Sequence, residues 1–182
     1  MLIGLINRLE EKRIDLSFNV NESSKIIESE NTILNDRSVF LVHGHDEEAK
    51  QKTARFLEKL RLDPIVLSEK PNEGRTIIEK FEKNGNVSFA VVLMTPDDVG
   101  YKKGDQENPR PRVRQNVILE LGYFVGRLTR SRVVVLFKGS VDMPSDYHGV
   151  TYIPMDDDDG WKLKLARELK HVGLSADMND AV

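Results

Sequence analysis

Val39-Phe40-Leu41-Val42-His43-Gly44-His45-Asp46 joins an unbroken apolar run to a polar turn containing one glycine. Four consecutive apolar residues do not alternate, so this strand is expected to be covered on both faces, as in a parallel sheet between helix layers. Directly after it, Ala49, Thr53, Phe56, Leu57 and Leu60 fall on one helical face. His45 is read as the cap of that helix, with Glu48 in the capping-box position. The same grammar then repeats. Pro64-Ile65-Val66-Leu67 reads as a second strand, Lys70 to Arg75 as a loop, and Ile77, Ile78 and Phe81 as a helix face. Phe89 to Met94 is the third strand. A long polar loop is expected from Thr95 to Pro111, because it holds Pro96, Gly100, Gly104 and Pro109. A helix from Arg112 to Leu128, strands at Val133–Phe137 and Thr151–Ile153, and a last helix from Gly160 carrying Trp161, Leu165, Leu169 and Val172 complete the series.

Strand and helix alternate throughout. The expected fold is therefore α/β, a five-stranded parallel flavodoxin-like open sheet with helices on both faces and strand order 2-1-3-4-5. Residues 1–37 read differently. Leu2, Leu5, Ile6 and Leu9 recur at helical spacing, and a polar Asn/Ser/Glu-rich stretch follows. They are assigned to an N-terminal helical arm or linker, and residues 38–182 to the α/β domain.

The 182 residues carry 30 acidic and 27 basic side chains, a formal net charge of −3, and no cysteine. Without cysteine there is no disulfide scaffold, thiolate zinc site or cysteine nucleophile. A chain-wide basic footprint for nucleic acid is also absent. The apolar runs stop well short of the roughly 20 residues a membrane span needs. The N-terminus lacks the pattern of a signal peptide. A cytoplasmic protein is expected.

In open α/β sheets, ligands sit beyond the carboxyl ends of the strands. That rule selects three loops: His43 to Asp46, Ser68 to Thr76, and Thr95 to Arg114. It also selects the helix that follows the third loop. Val113, Val117, Leu121, Phe124 and Leu128 face the sheet, and Glu120 falls at the margin of that stripe. A carboxylate there is expected to be partly desolvated, serving either chemistry or a structural ion pair. Asn116, Tyr123 and Arg127 share its edge, with Tyr123 placed to stack on a ring or to sit as a rim residue. Gly122 and Gly126 are expected to serve helix packing. Arg110, Arg112 and Arg114, with Arg75 and Lys70, suit phosphate binding or remain solvated. His43, His45 and Asp46 form too small a set for a metal site. Asp156 to Asp159 do not follow EF-hand spacing and are expected to favour the start of the last helix. No phosphate-binding glycine loop and no nucleophile elbow is present.

Three segments together resemble one family: Val39 to Asp46, Pro71 to Phe81, and Arg114-Gln115-Asn116-Val117-Ile118-Leu119-Glu120-Leu121-Gly122-Tyr123-Phe124. They are similar to the bacterial TIR-like nucleotide-binding domains, the group that includes the TIR modules of CD-NTase-associated TIR-STING antiphage effectors. Phe89 to Asp98 and Gly160-Trp161-Lys162-Leu163 fit the same pattern, so the likeness covers about Ser38 to Val172. It implies a TIR fold and an NAD⁺ glycohydrolase giving nicotinamide and ADP-ribose or a cyclic form. The family's catalytic glutamate falls on Glu120. The resemblance implies NAD⁺ as substrate, with no metal or separate cofactor, and self-association that activates the enzyme. No membrane partner is expected, and nucleic acid ranks last.

Within that reading, His43 and Gly44 line the ribose or nicotinamide side, and His45 is counted among the substrate-binding residues. Arg75 or Arg114 meets the pyrophosphate. Thr95, Asp97 and Asp98 help close the pocket, and Asn116 and Tyr123 lie beside Glu120. The chain departs from eukaryotic-type TIR NADases, in which Trp and Cys stand four and three positions before the glutamate. Asn116 and Val117 stand there instead. Only residues from Gly173 onward follow the last helix, so no receptor domain is expected after it. Two other readings compete: a TIR-like module that binds a nucleotide without turnover, and an enzyme like the nucleoside deoxyribosyltransferases, which also place a glutamate near a Glu-Leu-Gly sequence.

Overall fold

A computed structural model describes residues 37–66, 87–142, 149–177 and 179. Residues 1–36 of the arm expected over 1–37, and the loop and helix expected from Ser68 to Phe81, Arg75 among them, lie outside the described residues.

Five strands form one parallel sheet: β1 (Ser38–Val42), β2 (Asp63–Ile65), β3 (Phe89–Met94), β6 (Val133–Phe137) and β7 (Thr151–Pro154). Their spatial order is β2-β1-β3-β6-β7. Counting these strands alone, that is the expected 2-1-3-4-5. The register runs Val39 opposite Phe89 and Val92 opposite Val135 through the centre.

Successive residues of each central strand serve opposite cores, as the pleat requires. Val39, Leu41, Phe89, Val91, Leu93, Val134 and Leu136 face one side. There they meet helix α1 (Glu47–Lys59) and the C-terminal helix α3 (Gly160–His171) through Phe56, Leu57, Trp161 and Leu165. Phe56 and Trp161 meet edge to face at 5.4 Å. Phe40, Val42, Ala90, Val92, Met94, Val133 and Val135 face the other side. Helix α2 (Gln115–Leu128) covers them with Val117, Leu121, Phe124 and Leu128. The Phe40 and Phe124 rings lie 4.5 Å apart. Both faces of the early strands are thus buried, which is why their sequence does not alternate.

Several local expectations are corrected. The stretch from Thr95 to Pro111 is not all loop. β4 (Asp98–Gly100) and β5 (Arg110–Arg112) pair antiparallel as a separate two-stranded ribbon. Three-residue strands are too short to show periodicity, and Gly100 and Pro111 hide them further. Consequently α2 begins at Gln115, not Arg112, which belongs to β5. Strand β2 begins at Asp63. The cap of α1 is Asp46, not His45: its Oδ1 accepts from the Ala49 amide at 2.9 Å. Asp and Asn side chains place an oxygen at the right reach for that amide, and imidazole does not. Among the described residues, a Cβ at Gly126 would meet nothing within 4 Å, so packing against them does not account for this glycine.

The acidic run before α3 divides its work. Asp156 Oδ1 accepts from the Gly160 amide at 2.6 Å at the helix start. Asp159, at positive φ, gathers Lys52 at 2.5 Å and Lys162 at 2.7 Å. Lys162 and Lys52 hold its carboxyl down at about 2.

Candidate active site

The carboxyl ends of β1, β3 and β6 form one edge of the sheet, where the turns after β1 and β3 meet the start of α2. At the end of β1, Gly44 is buried and His43 is half-buried. The His43 ring donates from Nδ1 to the Gly44 carbonyl at 2.9 Å. At the end of β3, buried Thr95 donates its hydroxyl to Asp97 Oδ2 at 2.9 Å. That carboxylate lies over the Gly44 backbone, where a Cβ on Gly44 would collide with Oδ2 and Cγ. Gly44 is therefore required by the Asp97 side chain. The space a side chain would take at this position is filled by the protein itself.

At the end of β6, Lys138 binds Asp46 at 3.0 Å and Glu48 at 3.5 Å. The Lys138 amide also donates to the Met94 carbonyl at 3.0 Å. Asp46 thus has two duties: it caps α1, and it ties the His43–His45 turn to the strand two places along. Burial pushes its carboxyl up, but the Ala49 amide and Lys138 outweigh this and hold it below the ordinary value.

Helix α2 delivers the remaining groups. Arg114 stands at its N-cap and Glu120 lies six residues on, about 9 Å along the axis at 1.5 Å per residue. Helical side chains lean toward the N-terminus, so Glu120 leans back toward Arg114 and the sheet edge. Glu120 is half-buried. Burial raises its carboxyl from 4.5 to about 7, and the Arg114 charge opposes the rise without cancelling it. The Arg114 guanidinium nevertheless makes its hydrogen bond elsewhere, donating Nη1 to His45 Nε2 at 2.5 Å. A guanidinium against that nitrogen leaves His45 poorly placed to hold a metal cation.

Of the residues singled out from the sequence, the structure brings His43, Gly44, His45, Thr95, Asp97, Arg114 and Glu120 to this edge. Asp98 opens the ribbon as the first residue of β4. Asn116 is exposed on the first turn of α2. Tyr123 is a rim residue: its ring packs on the core beneath α2 and meets Phe124 edge to face at 5.1 Å. Arg127 is exposed. The sequence placed Asp46 in the first loop of this edge without its capping and Lys138 contacts, and it missed Lys138 as part of the edge. Lys138 directly follows the apolar run of β6, and the rule that selects strand ends could have found it. A cavity of about 540 Å³ along α1, lined by Lys52, Arg55, Phe56, Lys59 and Lys162 among others, lacks Glu120. The site assignment rests on the sheet edge and on Glu120, not on cavity size.

Residues 38–157 match the family described as CAP12/Pycsar effector protein, TIR domain. The chain is 52% identical over 147 residues to the uncharacterized protein YuaY of Escherichia coli (strain K12), covering 80% of this chain and 49% of YuaY. It is 39% identical over 130 residues to the protein tirC of Dictyostelium discoideum, covering 66% of this chain and 65% of tirC. It is 44% identical over 68 residues to the Pycsar effector protein XpPycTIR of Xanthomonas perforans, covering 36% of this chain and 22% of that protein. The chain thus spans less than two thirds of each of these relatives. Among the described residues, no helix is long and apolar enough to cross a membrane.

Proposed function

The chain belongs to the TIR-domain family of CAP12 and Pycsar effectors, and on that premise we propose that it is an NAD⁺ glycohydrolase of antiphage defence. Glu120 is its catalytic carboxylate. The observation that carries this reading is Glu120 itself: a half-buried acid at the ligand-binding edge of an open sheet, raised to about 7 by burial.

The chemistry asks for one such group. Hydrolysis of an O-glycoside needs an acid as well, because an alkoxide leaves poorly. The nicotinamide ring of NAD⁺ starts cationic and departs neutral, so it needs no proton. As the bond from C1′ to the ring nitrogen breaks, positive charge passes to the ribose. A carboxylate held out of water stabilises that charge far better than one in bulk solvent. The entering cation also favours the ionised carboxylate, offsetting the burial that raised it. Water then adds to C1′ and loses its proton to Glu120 or to solvent, giving ADP-ribose, nicotinamide and one proton. Attack by an adenine nitrogen in place of water gives a cyclic product. His43 and Gly44 border the ribose side, Thr95 holds Asp97 and Asp98 follows it at the mouth, and Arg114 takes the pyrophosphate, with Arg75 assigned to the same phosphates. Self-association through TIR contacts completes or stabilises the pocket. NAD⁺ is substrate, and no separate cofactor is required.

Incubating concentrated protein with NAD⁺, with and without a crowding agent, and following free nicotinamide tests this. Release is expected in the wild type and is lost in Glu120→Gln. Release that survives the substitution overturns the catalytic assignment. A domain that binds NAD⁺ but releases no nicotinamide is the non-catalytic module instead.

A further inference from the structure

Arg114 stands at the N-cap of α2 and Glu120 lies on the second turn of the same helix, with the Arg114 charge opposing the rise in the Glu120 carboxyl, yet the guanidinium bonds His45 Nε2 at 2.5 Å. A half-buried carboxylate beside an arginine would ordinarily pair with it, because the paired state removes the cost of an uncompensated charge. Here the imidazole takes the guanidinium first. The other acids placed on this edge have partners of their own: Asp46 is held by Lys138 and the Ala49 amide, and Asp97 by Thr95. His43 turns its Nδ1 to the Gly44 carbonyl. Among the described residues, Arg114 is the cation whose charge acts on Glu120, and its contact with His45 holds it aside.

We propose that His45 is a positioning residue that parks Arg114 at the mouth of the site and keeps Glu120 unpaired. The contact requires a lone pair on Nε2, so His45 acts as the neutral imidazole with its proton on Nδ1. The catalytic meaning of this arrangement rests on the function proposed above. The geometry itself does not, and the two are testable apart.

The direct readout is the titration of the Glu120 side-chain carboxyl, followed by carbon-13 NMR in the ligand-free full chain. In the wild type it is expected to titrate near 7. In His45→Ala, Arg114 is free to pair with Glu120, and the titration falls by about one unit or more, as an opposite charge at contact produces. His45→Gln, whose amide oxygen accepts a hydrogen bond, restores most of the wild-type value. Arg114→Ala moves Glu120 upward, and adding His45→Ala to it has no further effect. A Glu120 titration unchanged in His45→Ala, or a His45→Ala shift that persists without Arg114, overturns the proposal. If NAD⁺ cleavage is absent while these shifts appear, the positioning role stands and the glycohydrolase reading falls. If cleavage is present and the shifts are absent, the reverse holds.

Discussion

The carboxylate of Asp97 occupies the space over Gly44 that a methyl group would need. One residue lies in the turn after β1, the other in the turn after β3, and the contact ties the two turns together at the edge where substrate is proposed to bind. Thr95 keeps the carboxylate in place with a 2.9 Å hydrogen bond. Gly44→Ala must therefore displace Asp97 and break that bond. The expected cost is about 1.5–3 kcal/mol, the range for a hydrogen bond to a charged group. In an Asp97→Ala background the colliding atoms are gone, and the same substitution should cost about 0.5 kcal/mol or less. Thermal denaturation of the four proteins measures the coupling. Additive losses would show that the two residues do not meet.

Asp46 carries a second expectation. Asp46→Ala removes both the cap of α1 and the tie to Lys138, and should destabilise the domain by about 1–2 kcal/mol. Asp46→Asn keeps a capping oxygen and loses only the ion pair, so it should fall between. The sign with pH follows from the lowered carboxyl. The stabilisation is present above the ordinary carboxylate value and is lost as pH falls through the lower folded value. Denaturant melts in acid should therefore bring wild type and Asp46→Ala together. A constant gap down to the most acid pH would contradict the assignment.

Glu120 behaves in the opposite sense. Its folded value, about 7, stands above the ordinary 4.5. The fold prefers the protonated acid, so its contribution is full below the ordinary value and is lost as pH rises through about 7. Glu120→Gln should leave stability nearly unchanged near pH 4 and raise it by up to about 3 kcal/mol near pH 8. A group that weakens its own fold at neutral pH is the stability cost expected of a functional carboxylate. Melting curves at the two pH values check this. A loss of stability in Glu120→Gln at both would show that the carboxylate is structural.

Much of this was legible from residue order alone. Val39 to Val42 and Phe89 to Met94 announced strands buried on both faces, and the sheet order followed from the alternation of strand and helix. Glu120 stood out by its angle to Val117, Leu121 and Phe124, and burial has the effect that angle implied. What stayed hidden depended on contacts between distant segments. The β4–β5 ribbon is two three-residue pieces that only pairing reveals. Lys138 means nothing until Asp46 stands beside it. The need for glycine at position 44 shows only once the Asp97 carboxylate lies over its backbone. Asp46 outcompeted His45 as a cap because its oxygen reaches the Ala49 amide, a matter of side-chain length that the capping pattern did not weigh.

The rate of nicotinamide release against pH tests the central claim most directly. The account predicts a rate that rises through a single ionisation near or below pH 7 to a plateau in mild alkali, and no release in Glu120→Gln at any pH. The bound cation sets how far below 7 the midpoint moves. A rate that is flat from about pH 5.5 to 8.5, or release that persists in Glu120→Gln, would contradict it.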